Sequence, residues 1–261
     1  MTDDGKVTDD GNETQGGLDS SSGFDGRAVI VTGGTRGIGF GVAEAFLAAG
    51  ADVLVCGRSA PGALPEAGGR TAVFTGADVR DPAAARELVA TAVRRFGRLD
   101  VLVNNAGGSP DADAATVSPR FVEKVVQLNL LAPFYVGQAA NLVMREQPQG
   151  GAIINIGSVS AHTPQPGTAA YTAAKAGLLA LTRALALEWG PLVRVNHITV
   201  GPVAPGGAVQ AAIVPLGRLA LPRDVAAACL YLAGPLAGYV SGADLAVHGG
   251  GEPPGRYLAR D

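Results

Sequence analysis

The sequence predicts a single doubly wound α/β domain, with a seven-stranded parallel sheet and helices on both faces. Two observations predict it. From Arg27 onward, short runs rich in Val and Ile alternate with longer Ala-rich amphipathic stretches, the order expected when strands are joined by crossover helices. The runs are also nearly continuous in apolar residues, as burial on both faces requires, whereas a half-solvated strand would alternate. Ligands in such a fold bind beyond the carboxyl ends of the strands.

The predicted strands, in order, are 28–32, 52–56, 71–75, 101–104, 152–156, 193–199 and 244–247, with six helical segments between them. Gly50 closes the first helical stretch, 38–49, and Asp81-Pro82 opens the next in cap and first-turn positions. Pro222 opens the last in the same way. The stretch from Thr168 to Trp189 is apolar nearly all round, which requires cover on two sides. The sheet supplies one, and a second subunit or the neighbouring helices supply the other.

At 261 residues the length suits one domain. Residues 1–24 carry six acids against one base, Lys6, with Gly and Ser between them. That composition cannot support a core, so residues 1–24 are expected to form a disordered acidic tail ahead of a domain spanning 25–261. The tail lacks the basic start and apolar stretch of a secretion signal, which makes a cytoplasmic address the default. No run approaches the roughly 20 apolar residues of a membrane span, and no membrane partner is expected. Setting the tail's net charge of −5 against −3 for the whole chain leaves about +2 on the rest, which offers nothing for nucleic acid. Cys56, in a predicted strand, and Cys229, in an Ala-rich helix, read as free core thiols. Neither they nor His162, His197 and His248 have ligand spacing, and no metal is expected.

Directly after the first strand stands Thr32-Gly33-Gly34-Thr35-Arg36-Gly37-Ile38-Gly39, running into a helix. Glycines at 33, 37 and 39 permit a tight turn and close backbone approach, so a dinucleotide pyrophosphate can sit on the helix amides, beside Thr35 and Ile38. Enzymes preferring NAD usually end the second strand with an acid that holds the ribose 2'-hydroxyl. Here Gly57 and Arg58 follow that strand, and Arg58 with Arg36 suits the 2'-phosphate of NADP in charge and forked geometry. Asp78, before Val79 at the end of the third strand, is placed to accept from an adenine amino group. Asn105, Ala106 and Gly107 follow the fourth strand, where small residues let the backbone run beside the cofactor; either segment also reads as a plain strand-end turn.

Ser158 ends the fifth strand. Thirteen residues later comes Tyr171, with Lys175 at i+4 on the same helix face. Reducing a ketone requires a proton donor for the developing alkoxide, and a tyrosine beside an ammonium and an oxidised nicotinamide is expected to have a lowered pKa. Serine can hold the carbonyl oxygen without titrating. Outside the tail the only lysines are Lys124 and Lys175, against seventeen arginines, and one of those two falls where this chemistry needs it.

Together, Thr-Gly-x-x-x-Gly-x-Gly, Asn-Asn-Ala-Gly, Ser158 and Tyr171-x-x-x-Lys175 resemble the pattern of the classical short-chain dehydrogenases/reductases, over about residues 24–250. The resemblance implies a Rossmann-type fold, with Tyr171 as general acid or base, Lys175 also binding the nicotinamide ribose, and Ser158 orienting substrate. It assigns Asn129 to a water in a proton relay; from spacing alone Asn129 is only a mid-helix polar residue. It also implies a homotetramer, with a dimer as the alternative.

The pattern is broken after the sixth strand. Val200 stands where the family usually has proline, and Pro205 where it has a threonine touching the cofactor amide. Gly201 and Val203 remain as cofactor contacts, and the lid that follows, 203–213, is shorter than usual. This predicts an open site for a bulky carbonyl, or a trimmed loop without consequence. Gly108, Ser109, His162 and Gln165 are candidate substrate-wall residues, His162 also reading as a solvent-facing loop histidine. The expected function is NADPH-dependent reduction of a small-molecule ketone, such as a bulky secondary metabolite or other hydrophobic carbonyl, similar to the 3-oxoacyl reductase-like carbonyl reductases. The alternatives are NADP-dependent alcohol oxidation and a non-catalytic NADP-binding sensor or assembly protein.

Overall fold

The computed structural model describes residues 23–204 and 214–251. The expected tail (1–24) and lid (203–213) therefore lie almost wholly outside the described residues. Phe24 is an exception: its ring packs edge-on against Phe46 at 5.2 Å and is buried, so the core begins one residue before the expected boundary.

Seven parallel strands form one sheet: β1 (Ala28–Thr32), β2 (Asp52–Gly57), β5 (Val73–Gly76), β6 (Val101–Asn104), β7 (Gly151–Ile156), β8 (Val193–Val200) and β9 (Asp244–Val247). Their order across the sheet is β5-β2-β1-β6-β7-β8-β9, a double winding whose direction reverses beside β1. The expected third strand, 71–75, is divided. Its first residue pairs in a small antiparallel hairpin, β3 (Glu66–Ala67) with β4 (Arg70–Thr71), and only Val73 onward joins the sheet. The hairpin turns at Gly68 and Gly69, both left-handed at φ 58° and 72°, a conformation that glycine adopts without a Cβ penalty. It also takes the place of one of the six expected crossover helices.

Successive strand residues feed two cores. Val29, Val31, Val53, Val55, Val103, Ile154 and Ile198 pack under α1 (Gly37–Ala48) and α6 (Pro222–Ala233). Ile30, Leu54, Leu102, Ile153 and Val195 face the other way, under α2 (Pro82–Phe96), α4 (Ala132–Met144) and α5 (Ala169–Trp189). Asp81 caps α2 by accepting from the Ala83 N–H at 2.8 Å, and Gly97 ends it at φ 77°. Cys56 and Cys229 are free and buried.

Between α3 (Pro119–Val126) and α4 the helix widens into one π turn, Gln127–Leu131. Pro133, at the start of α4, has no N–H to offer the ladder, and the Ala132 N–H reaches back to Gln127 instead. Asn129 stands in this turn. Among the described residues no helix is long and apolar enough to cross a membrane.

Candidate active site

The carboxyl ends of β1, β2, β5, β6 and β7 open into a cleft of about 700 Å³. Of the residues expected at a cofactor, Gly33, Thr35, Arg36, Gly37, Ile38, Arg58, Asp78, Val79, Asn105, Ala106, Gly107, Tyr171 and Lys175 line it, and so does Gly108. The amino terminus of α1 opens here with no side-chain cap and no acid in its first turn. Its orphan N–H groups and positive dipole end face the cleft, a ready anion site. Gly33, left-handed at φ 64°, would place a Cβ 3.1 Å from the Ala106 Cα, so the turn closes only around glycine. Asn105 pins it by donating to the carbonyls of Thr32 (2.9 Å) and Gly33 (3.2 Å). Thr32 Oγ1 accepts from the N–H groups of Asn105 and Ala106, both at 3.0 Å. Gly39 serves the same contact from behind, since a Cβ there would lie 2.4 Å from the Asn105 amide nitrogen; it is packed against the turn and does not line the cleft.

At the other end Tyr171 is a neighbour of Ser158, whose hydroxyl donates to Ser160 Oγ and accepts from the Ser160 N–H, both at 3.2 Å. The Lys175 ammonium lies 5.7 Å from the centre of the Tyr171 ring and donates to the Ile156 carbonyl at 2.8 Å. Burial alone lowers Lys175 to about 8. Tyr171 runs against expectation: burial pushes its phenol up, opposed by the neighbouring Ser158 hydroxyl. The expected lowering required an oxidised nicotinamide, and in the chain by itself desolvation dominates. Asn129 is fully buried, its Oδ1 accepting from the Gly108 N–H at 2.8 Å and its Nδ2 donating to the carbonyls of Gly108 (3.1 Å) and Val125 (3.0 Å). A Cβ on Gly107 would lie 2.9 Å from Asn129 Oδ1 and 3.3 Å from Lys175 Nζ, so this glycine lets asparagine and lysine approach the same backbone.

Other expected residues fall elsewhere. Gly201 and Val203 are held by backbone pairing to β9 and to Ala220 and do not line the cleft. Ser109 donates to its neighbour's carbonyl, Pro110, at 2.8 Å, and exposed Gln165 caps the Thr168 turn through its own carbonyl. His162 belongs to a cluster that the sequence did not show. Its Nε2 lies 2.8 Å from Asp244 Oδ2 and 3.2 Å from Thr199 Oγ1, while Asp244 Oδ1 meets fully buried His197 Nδ1 at 2.8 Å and Thr199 Oγ1 at 2.7 Å. The cluster lies behind the serine strand, where a Cβ on Gly157 would come 2.0 Å from the His197 ring. A second buried polar chain is likewise not marked in the sequence: Asn104 donates to Asn155 at 2.9 Å, and Asn155 to Thr182 at 2.9 Å. Spacing along the chain marks neither group, because the members meet only through strand pairing, Asn104 with Asn155 and His197 with Asp244, and through the packing of α5 and the His162 loop on those strands. Arg80 also lines the cleft, and no motif in the sequence marks it.

A sequence profile described as enoyl-(acyl carrier protein) reductase matches residues 33–252. The chain is a short-chain dehydrogenase/reductase. It is 38% identical over 245 residues to an L-rhamnose 1-dehydrogenase (NAD(P)(+)) of Azotobacter vinelandii, covering 86% of this chain and 96% of that one. It is 35% identical over 244 residues to a probable 2,4-dienoyl-CoA reductase of Bacillus subtilis, covering 86% and 96%. Among solved structures, a blue fluorescent protein from a metagenomic library in complex with NADPH superposes with a TM-score of 0.78 at 35% identity, covering 87% of this chain and 98% of that one. As a short-chain dehydrogenase/reductase, the protein is a Rossmann-like oxidoreductase of a nicotinamide cofactor, NAD or NADP. The cradle fits that group: the glycine turn, the uncapped helix terminus and the Tyr171–Lys175 pair lie along one cleft.

Proposed function

We propose that the protein is an NADPH-dependent reductase of a small-molecule ketone. The observation that carries this reading is the polarity of the cleft. One end presents Tyr171 and Lys175, with Ser158 beside Tyr171 next to the lining Gly157; the other presents Arg36 and Arg58, with Gly57 where an NAD enzyme has its acid. Gly33, Gly37 and the α1 amides hold the pyrophosphate, and Arg36 and Arg58 the 2'-phosphate. Lys175 holds the nicotinamide ribose. When bound, the reduced nicotinamide supplies a hydride to the carbonyl carbon.

The protein supplies the proton. Ser158 Oγ donates a hydrogen bond to the substrate oxygen and fixes its place beside Tyr171. The Tyr171 hydroxyl transfers its proton to that oxygen as charge develops, completing the alcohol and leaving a tyrosinate beside the Lys175 cation. Asn129 aligns Gly108, and through it the backbone next to Lys175, so the proton can be replaced from solvent along that wall. Support for NADP also comes from the NADPH complex of the structural relative. The name of the Azotobacter relative favours a second reading, alcohol oxidation by the same residues run in reverse. We read the assembly as a homotetramer, supported by α5, which leaves Ala173, Ala180, Ala184 and Leu187 exposed along one side.

The test is nicotinamide absorbance with NADPH and NADH in parallel, over ketones, quinones and acyl thioesters. Turnover of a ketone with NADPH at least about tenfold above that with NADH supports the reading. Equal use of both cofactors, or turnover only of alcohols with the oxidised cofactor, contradicts it.

A further inference from the structure

The cleft holds five charged side chains among its described lining: Arg36, Arg58, Arg80, Lys175 and a single acid, Asp78. Lys175 stands at the tyrosine end, which leaves Asp78 among three guanidinium groups at the adenosine end. A carboxylate there works against a 2'-phosphate twice over. It repels the dianion directly, at a range the partly enclosed cleft screens poorly. It also competes for a guanidinium needed by the phosphate, since Asp78 lies within the field of Arg58.

Arg80 forks onto that carboxylate. Its Nε donates to Oδ1 at 2.9 Å and to Oδ2 at 3.2 Å, its Nη2 donates to Oδ2 at 2.5 Å, and its backbone N–H donates to Oδ1 at 3.1 Å. Charge-assisted forks of this kind are strong and fixed in geometry. The fork is local, spanning two residues in the turn after β5. Asp78 is held below the usual carboxylate range, chiefly by the Arg80 hydrogen bond. It thus stays ionised, and only a cation can cancel its charge.

We propose that Arg80 is a cofactor-discriminating residue: by forking onto Asp78 it cancels the one negative charge of the described lining at the adenosine end, so selection of a 2'-phosphorylated nucleotide depends on Arg80 as well as on Arg36 and Arg58. This rests on the NADP reading above. Arg80 acts through Asp78, not by touching the phosphate, and that makes a reversal experiment decisive.

The experiment titrates adenosine 2',5'-bisphosphate and 5'-AMP by calorimetry, and NADPH and NADH by fluorescence, into the native protein, Arg80→Gln, Asp78→Asn and the double variant. Arg80→Gln is expected to weaken adenosine 2',5'-bisphosphate and NADPH by about tenfold and to change 5'-AMP and NADH by less than about twofold. Adding Asp78→Asn is expected to restore most of the loss, and Arg80→Lys, which keeps the charge without the fork, to retain most of the preference. Equal weakening of all four ligands would overturn the proposal, as would a double variant no better than Arg80→Gln. A native protein that does not distinguish the phosphorylated ligands overturns the NADP reading itself, whereas a native preference untouched by Arg80→Gln overturns only the role of Arg80.

Discussion

Lys175 is the residue whose surroundings say most about the chemistry. It is a buried cation with one carbonyl for a partner at 2.8 Å, and burial brings it to about 8. An unfolded lysine titrates near 10.4, so between those values the unfolded chain keeps a proton that the folded chain has released. Stability therefore rises with pH across this window, because the penalty for burying the charge disappears. Lys175→Met removes the penalty at every pH. Urea unfolding should find the variant the more stable at pH 7, by on the order of 3 kcal/mol, with the gap closing toward pH 10; a gap independent of pH would show that Lys175 is not desolvated. Asp244 titrates with the opposite sign. Burial raises its carboxyl, but hydrogen bonds from His197 and Thr199, the His197 charge and the His162 contact outweigh that and hold it low. Its contribution is full above the unfolded carboxylate value of about 3.9 and is lost as pH falls below it. Asp244→Asn should thus be destabilised at pH 7 and lose that deficit below about pH 4, measured by chemical unfolding.

At the scale of elements, the glycine turn and the π turn position the site, and they differ in how far the sequence reveals them. The turn was legible because Gly33 and Gly37 carry their conformation in their identity. The π turn was not, since nothing in Gln127 to Leu131 distinguishes it from an α-helical stretch; its cause is Pro133 downstream. The split at residues 71–75 escaped for a similar reason: a β-branched run does not say which strand it pairs with. His197 and Asp244 lie 47 residues apart in sequence, and only the β8–β9 register joins them. Element packing gives two predictions. Gly157→Ala would place a Cβ 2.0 Å from the His197 ring, and overpacking of this kind costs about 1–3 kcal/mol; a variant with unchanged Tm would show that the cluster can shift. Asp81→Ala should cost about 1 kcal/mol through loss of the α2 cap, read from chemical unfolding, without altering nucleotide binding.

Across the whole molecule, the cleft runs from three arginines to a Tyr–Lys pair, and the topology explains why. The sheet reverses direction beside β1, so the strand ends leading to the glycine turn, Arg58 and Arg80 lie to one side of the reversal, and the end of β7 leading to Ser158, with α5 carrying Tyr171, to the other. Such a distribution of charge should make NADPH affinity fall with added salt more steeply than NADH affinity, as a dianion among guanidinium groups requires. Parallel slopes in fluorescence titrations from low salt to about 0.5 M would contradict that. The central claim, proton donation by Tyr171 during NADPH-dependent ketone reduction, is tested most directly with Tyr171→Phe beside the native protein on the best ketone, after titration shows that both bind NADPH. The account predicts kcat lower by about 10²–10⁴-fold with NADPH affinity within about twofold; turnover retained in the variant would contradict it.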